Sequence, residues 1–166
     1  MCTGSSALLY NEAEEVRSVQ IYVDADACPV LQQIEDMARM YVVPVTLFCD
    51  THHVLHSDYC ELRLVDAGKD AVDIALTNRC CAGDIVVTQD FGLARFALDK
   101  GAYAIHPSGW RYQNLSEDEA AHREEVRKRI RELQQPWKRN KERKRRQFEE
   151  AFEDLVIIAL EHEVRE

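Results

Sequence analysis

The chain lacks any apolar run near the roughly 20 residues that a membrane span requires, which excludes a bilayer-spanning helix as its working part. Met1 to Arg17 has no basic start leading into an apolar core, so a signal peptide is not expected. The six cysteines include no Cys-x-x-Cys pair and no framed spacing, which points away from a disulfide scaffold and towards a reduced cytoplasm. Internal repeats and low-complexity segments are also missing. What remains is a chain of 166 residues, about one ordinary domain.

Charge is present in excess and unevenly placed. The net charge is −9, yet Arg123 to Arg146 holds twelve Lys/Arg against four Glu, while residues 1–115 hold sixteen acids against eight bases. An acidic body and a basic arm need different explanations. The arm offers Arg127, Lys128, Arg131, Lys138, Arg139, Lys141 and Arg143 as phosphate contacts, which position a nucleic acid without reading its sequence. The competing reading is a solvated helix face paired with Glu124, Glu125 and Glu132.

The most informative stretch is Val19 to Val30, in which an apolar, β-rich run ends in Asp24 and Asp26 and is followed by Pro29. That is the strand-to-helix corner of a βα unit, and ligands of open α/β sheets bind outside the carboxyl ends of the strands. Two acids two apart on extended backbone point the same way, and their repulsion is most simply relieved by an oxygen-loving divalent cation, Mg²⁺ or Mn²⁺. Periodicity predicts a helix over 29–40, strands over 44–48 and 61–65, a helix over 70–81, a strand over 84–88, a helix over 91–99 and a strand over 102–105. Such alternation means right-handed βαβ units and a mainly parallel sheet. Asp50, Asp66, Asp70, Asp73 and Asp90 then share the carboxyl edge with Asp24 and Asp26, whereas Asp84 and Asp99 fall at the other edge, Asp84 as a turn residue. Asp70 reads equally well as a helix cap.

Past residue 115 a capping box at Ser116 and Glu119 opens a long charged helix to about residue 135, and a last helix spans about 140–162. Its stripe of Phe148, Phe152, Leu155, Val156 and Ala159 must be covered, either by the body of the domain or by a second subunit in a homodimer. The chain therefore divides into an N-terminal extension over 1–18, an α/β domain over 19–115 and a C-terminal helical extension over 116–166.

Three stretches, Val23-Asp24-Ala25-Asp26-Ala27-Cys28-Pro29, Gly68-Lys69-Asp70-Ala71-Val72-Asp73 and Gly83-Asp84-Ile85-Val86-Val87-Thr88-Gln89-Asp90, with Leu93-Ala94 and Lys100-Gly101-Ala102, resemble the YaiI/YqxD family of bacterial proteins. It departs from that pattern at Val72 and His106. The resemblance implies a PIN-like three-layer α/β/α domain, a metal-dependent nuclease scaffold, with Asp24, Asp26, Asp73 and Asp90 as catalytic residues around one or two Mg²⁺ or Mn²⁺ ions. Phosphodiester hydrolysis suits that set, with RNA the expected substrate. Asp24 is then the central ligand, Asp73 and Asp90 complete it, and Asp26 either holds an outer water or serves as base; Asp70 and Thr88 are supporting candidates.

Two rivals stand beside this reading. A phosphatase of the haloacid dehalogenase type also opens on strand-Asp-x-Asp, with Asp24 as nucleophile and Thr46, Lys69 and Asp90 in the remaining parts. A noncatalytic module that binds nucleic acid or a partner protein is the other. Cys49, His52, His53, His56 and Cys60 fall within twelve residues, but their spacing does not favour structural zinc. They read instead as a polar loop beside the acidic cleft, with His52 or His53 placed to touch substrate. Cys28 beside an acid makes a poor nucleophile. Cys80 and Cys81 read as helix-packing residues, and Trp110 and Tyr112 as residues that close the core, with stacking on a base the alternative.

Overall fold

Ile21, Tyr22 and Val23 are β-formers with almost no exposed surface, and they make β1 (Ile21–Asp24) the centre of the sheet. In chain order there follow α1 (Leu31–Tyr41), β2 (Val45–Asp50), β3 (Glu61–Val65), α2 (Ala71–Arg79), β4 (Ile85–Val87), α3 (Phe91–Asp99), β5 (Tyr103–Ile105), β6 (Arg111–Tyr112) and α4 (Lys141–Arg165). The computed structural model describes residues 18–26, 28–50, 55–65, 71–112, 128–129 and 141–165. The charged helix expected over 116–135 lies outside them except at Lys128 and Arg129, which are helical. Among the described residues no helix is long and apolar enough to cross a membrane.

The six strands lie in the order β3-β2-β1-β4-β5-β6, the first five parallel and β6 antiparallel to β5. Alternating side chains divide between the two faces. Ile21, Val23, Val45, Leu47, Ile85, Val87 and Ile105 meet α1 and α4 on one face; Tyr22, Phe48, Val86, Ala104 and Tyr112 meet α2 and α3 on the other. The architecture is a three-layer α/β/α sandwich. The α4 stripe of Phe148, Phe152, Leu155, Val156 and Ala159 is buried against the chain's own sheet and α1.

Several boundaries differ from the sequence reading for local reasons. Pro29 stands before α1, whose first bond runs from the Ile34 N–H to the Val30 carbonyl at 3.0 Å. Helix α2 stops at Arg79 because Asp84, almost wholly buried, draws the Cys81 N–H to Oδ2 at 2.8 Å and the Gln20 N–H to Oδ1 at 3.1 Å. Asp84 thus ties the turn before β4 to the start of β1. Cys81 lies beyond the helix and is exposed, so only Cys80 of that pair packs in the core.

Candidate functional site

The chain leaves β1 through α1 towards β2 and the β3 edge, then returns through α2 to β4 on the other side of β1. Keeping both crossovers right-handed puts α1 and α2 on opposite faces, and a crevice opens outside the carboxyl ends at the reversal. Asp24 ends β1 at that point, and Thr88 is the first residue after β4. The Thr88 hydroxyl accepts the Asp90 N–H at 2.9 Å and stands 3.2 Å from Asp24 Oδ2, so its own proton is directed at Asp24.

Burial raises the Asp24 carboxyl from 3.8 to about 6; the Thr88 hydrogen bond opposes the rise, and the charges of Asp26, Asp73 and Asp90 add to it. Asp24 thereby lies within the field of three further acids, Asp26 from the turn after β1, Asp73 from α2 and Asp90 from the start of α3. Asp73 lies in the first turn of α2, where the helix dipole favours an anion. Asp90 is the N-cap of α3, its Oδ1 accepting the Leu93 N–H at 3.2 Å, a structural duty alongside any chemical one. Asp26 differs from the extended-backbone expectation: the strand ends at Asp24 and Asp26 sits in a turn, its Oδ1 accepting the Asp50 N–H at 3.4 Å. Two of the four carboxylates thus bind main-chain N–H groups. Among the described residues no three His, Cys, Asp or Glu side chains are gathered tightly enough to hold a metal ion.

Other expected positions are sorted by the same geometry. Asp66, Lys69, Asp70, His52 and His53 lie outside the described residues. Thr46 is buried within β2, its hydroxyl 3.5 Å from Glu61, which removes it from the crevice that the phosphatase reading needs. Cys49 is buried in the core, and Cys60 lies beside Glu35. Burial, the Asp24 charge adding to it, pushes the Cys28 thiol up to about 11 and keeps it from acting as a thiolate.

Helix α4 begins at the same edge of the sheet. His106 follows β5, and its ring is held near 4 by burial and by the charge of Lys144 on the first turns of α4. Its Nδ1 accepts the Ser108 N–H at 3.0 Å. The first turns of α4 also carry exposed Arg143, Arg145 and Arg146. Arg143 and Arg146, with Glu142, Gln147 and Glu150, line an open groove of about 690 Å³. Lys128 is exposed; Lys141 opens α4; Arg127, Arg131, Lys138 and Arg139 lie outside the described residues. Sequence reasoning missed the buried Lys144, although it stands four residues before Phe148 on the same stripe.

A model of the uncharacterised YaiI/YqxD family of bacterial proteins matches residues 22–158. A UPF0178 protein of Clostridium acetobutylicum is 47% identical over 145 residues, 84% of this chain and 97% of the relative. One from Clostridium kluyveri is 37% identical over 142 residues, 83% of this chain and 93% of its own length. One from Alkaliphilus oremlandii is 46% identical over 101 residues, 61% of this chain and 65% of its length. No solved structure matches the chain.

Proposed function

The chain belongs to the YaiI/YqxD family, and from that premise and the acid cluster we propose that it is a divalent-metal-dependent hydrolase of phosphodiesters, acting on RNA. The observation that carries the reading is Asp24 at the sheet's reversal point, its carboxyl raised by burial and by three further acids. Four carboxylates and a hydroxyl are hard oxygen donors, which suits Mg²⁺ or Mn²⁺ over softer metals. Asp24, Asp73 and Asp90 would hold the ion only by drawing closer together than they stand in its absence, with Asp26 on an outer water. A cation there supplies charge for the phosphoryl oxygens and a water of lowered pKa. The chain's own groups do the rest: Thr88 orients Asp24, and Arg143, Arg145 and Arg146 at the same edge attract the polyanion.

A noncatalytic nucleic-acid-binding module is the second reading, favoured by the engagement of Asp26 and Asp90 with main-chain N–H groups. The deciding experiment is Mn²⁺ titration by calorimetry of wild type and Asp24→Asn, followed by incubation of the same samples with labelled single-stranded RNA and with a phosphate monoester. RNA cutting that needs metal and is lost in the variant supports the hydrolase. RNA binding without cutting favours the module, and monoester turnover through a trapped phosphoaspartate would replace both.

A further inference from the structure

The antiparallel strand β6 places a buried tyrosine directly behind the acid cluster. The Tyr112 hydroxyl donates to the Thr88 carbonyl at 3.2 Å, and the Thr88 N–H donates to the Ile105 carbonyl at 3.1 Å. Thr88 is wholly buried and Tyr112 is 3% exposed. The ring is fixed in turn by Trp110, edge-on at 5.0 Å between centroids, on a hairpin closed by the His106 N–H to the Trp110 carbonyl at 2.8 Å. The main chain of Thr88 is therefore held on both sides, and its hydroxyl bonds both Asp24 Oδ2 and the Asp90 N–H. A small rotation of the Thr88 peptide would move that hydroxyl and slacken both acids together.

We propose that Tyr112 is a positioning residue for the acid cluster: by binding the Thr88 carbonyl it fixes the hydroxyl that orients Asp24 and Asp90. The importance of that orientation rests on the cluster being the working site, but the geometric claim does not. Tyr112→Phe keeps the ring and removes only the hydroxyl. In metal-free protein, amide hydrogen exchange is expected to quicken by up to about tenfold at Asp90, the loss of roughly one hydrogen bond, while Val86 and Val23 exchange as in wild type. Thr88→Val, which keeps the volume and removes the acceptor, should expose the same amide at least as much. Adding Tyr112→Phe to it should then change nothing further at Asp90. Mn²⁺ affinity of Tyr112→Phe should fall roughly tenfold, as when an outer partner of a ligand is lost.

Exchange at Asp90 that stays unchanged, or that quickens equally along β4, overturns the proposal and leaves Tyr112 a core residue. If wild type takes up no Mn²⁺, the metal reading fails separately, and the exchange comparison alone decides the role of Tyr112.

Discussion

Thr88 Oγ1 stands 3.2 Å from Asp24 Oδ2 across the seam between β4 and β1, a side-chain hydrogen bond that opposes the raised pKa of Asp24. The acid is nonetheless held near 6, above its ordinary 3.8. The folded state therefore binds the Asp24 proton more tightly than the unfolded chain, and stability from this group is full below about pH 4 and lost as pH rises through 6. Asp24→Asn cannot ionise. In the absence of divalent ions it should be more stable than wild type by about 1–2 kcal/mol at pH 8, a two-unit shift discounted for partial exposure. The two proteins should converge at pH 4. Urea unfolding at both values checks this, and an equal gap at each would reject the assignment.

Mn²⁺ should reverse that order. Binding needs the ionised carboxylate, so added ion should raise the thermal midpoint of wild type at pH 8 and much less at pH 5. At a hundredfold excess over the dissociation constant the gain is about 2.7 kcal/mol. Asp24→Asn and Asp90→Asn should show little of it. Scanning calorimetry with Mn²⁺ against chelator measures the difference.

His106 works in the opposite direction. Its folded value of about 4 lies below the ordinary 6.5, so the unfolded chain binds the proton more tightly, and stability is lost as pH falls from 6.5 through 4. His106→Asn places an amide oxygen where Nδ1 accepts the Ser108 N–H, as in an Asx turn. The variant should escape an acid loss of roughly 2 kcal/mol at pH 5. A wild-type stability that is flat between pH 7 and pH 5 relative to the variant would contradict this.

Gly109 and Gly83 make a matched pair. Both have φ near +90°, but a Cβ on Gly83 meets nothing within 4 Å, while one on Gly109 would lie 3.0 Å from the Gln147 carbonyl oxygen and 3.1 Å from Phe148 Cα. Gly83→Ala should lose about 1 kcal/mol from conformation alone. Gly109→Ala should lose about 2–3 kcal/mol, because the hairpin must also move off α4. Chemical unfolding of the two variants separates the terms.

Val42 caps α1 with φ 56° and ψ 47°, a conformation that strains a β-branched residue, and it is 82% exposed. Val42→Gly or Val42→Asn should therefore stabilise the protein by about 1 kcal/mol. A loss on substitution would show that the side chain makes a contact worth more than its strain.

These positions also show what the linear chain reveals. β1, α1, β4 and α3 were legible because period-2 and period-3.6 patterns run long enough to be distinctive, and the acids at their ends then fell on one edge. β6 was not, since two residues carry no period and its pairing depends on a turn at Gly109. Lys144 was hidden by its neighbours: within Arg143 to Arg146 every residue looks solvated, and only the spacing to Phe148 marks one for burial. The capping role of Asp90 is not legible because it stands two residues past the strand, and the Phe91 start of α3 carries no capping box.

Helix α4 runs from His106 and Gly109 at one edge of the sheet to Tyr103 at the other, where the tyrosine hydroxyl meets His162 Nδ1 at 2.6 Å. Its phenylalanines close the core formed by Ile21 and Val23, so the first described strand and the last described helix share one apolar interior. During synthesis α1 is the only described helix on that face until residues 148–159 have left the ribosome. A nascent chain holding every strand is still a half-covered sandwich with an apolar strip beside α1, and the charged first turns of α4 favour solvent until its phenylalanines dock there.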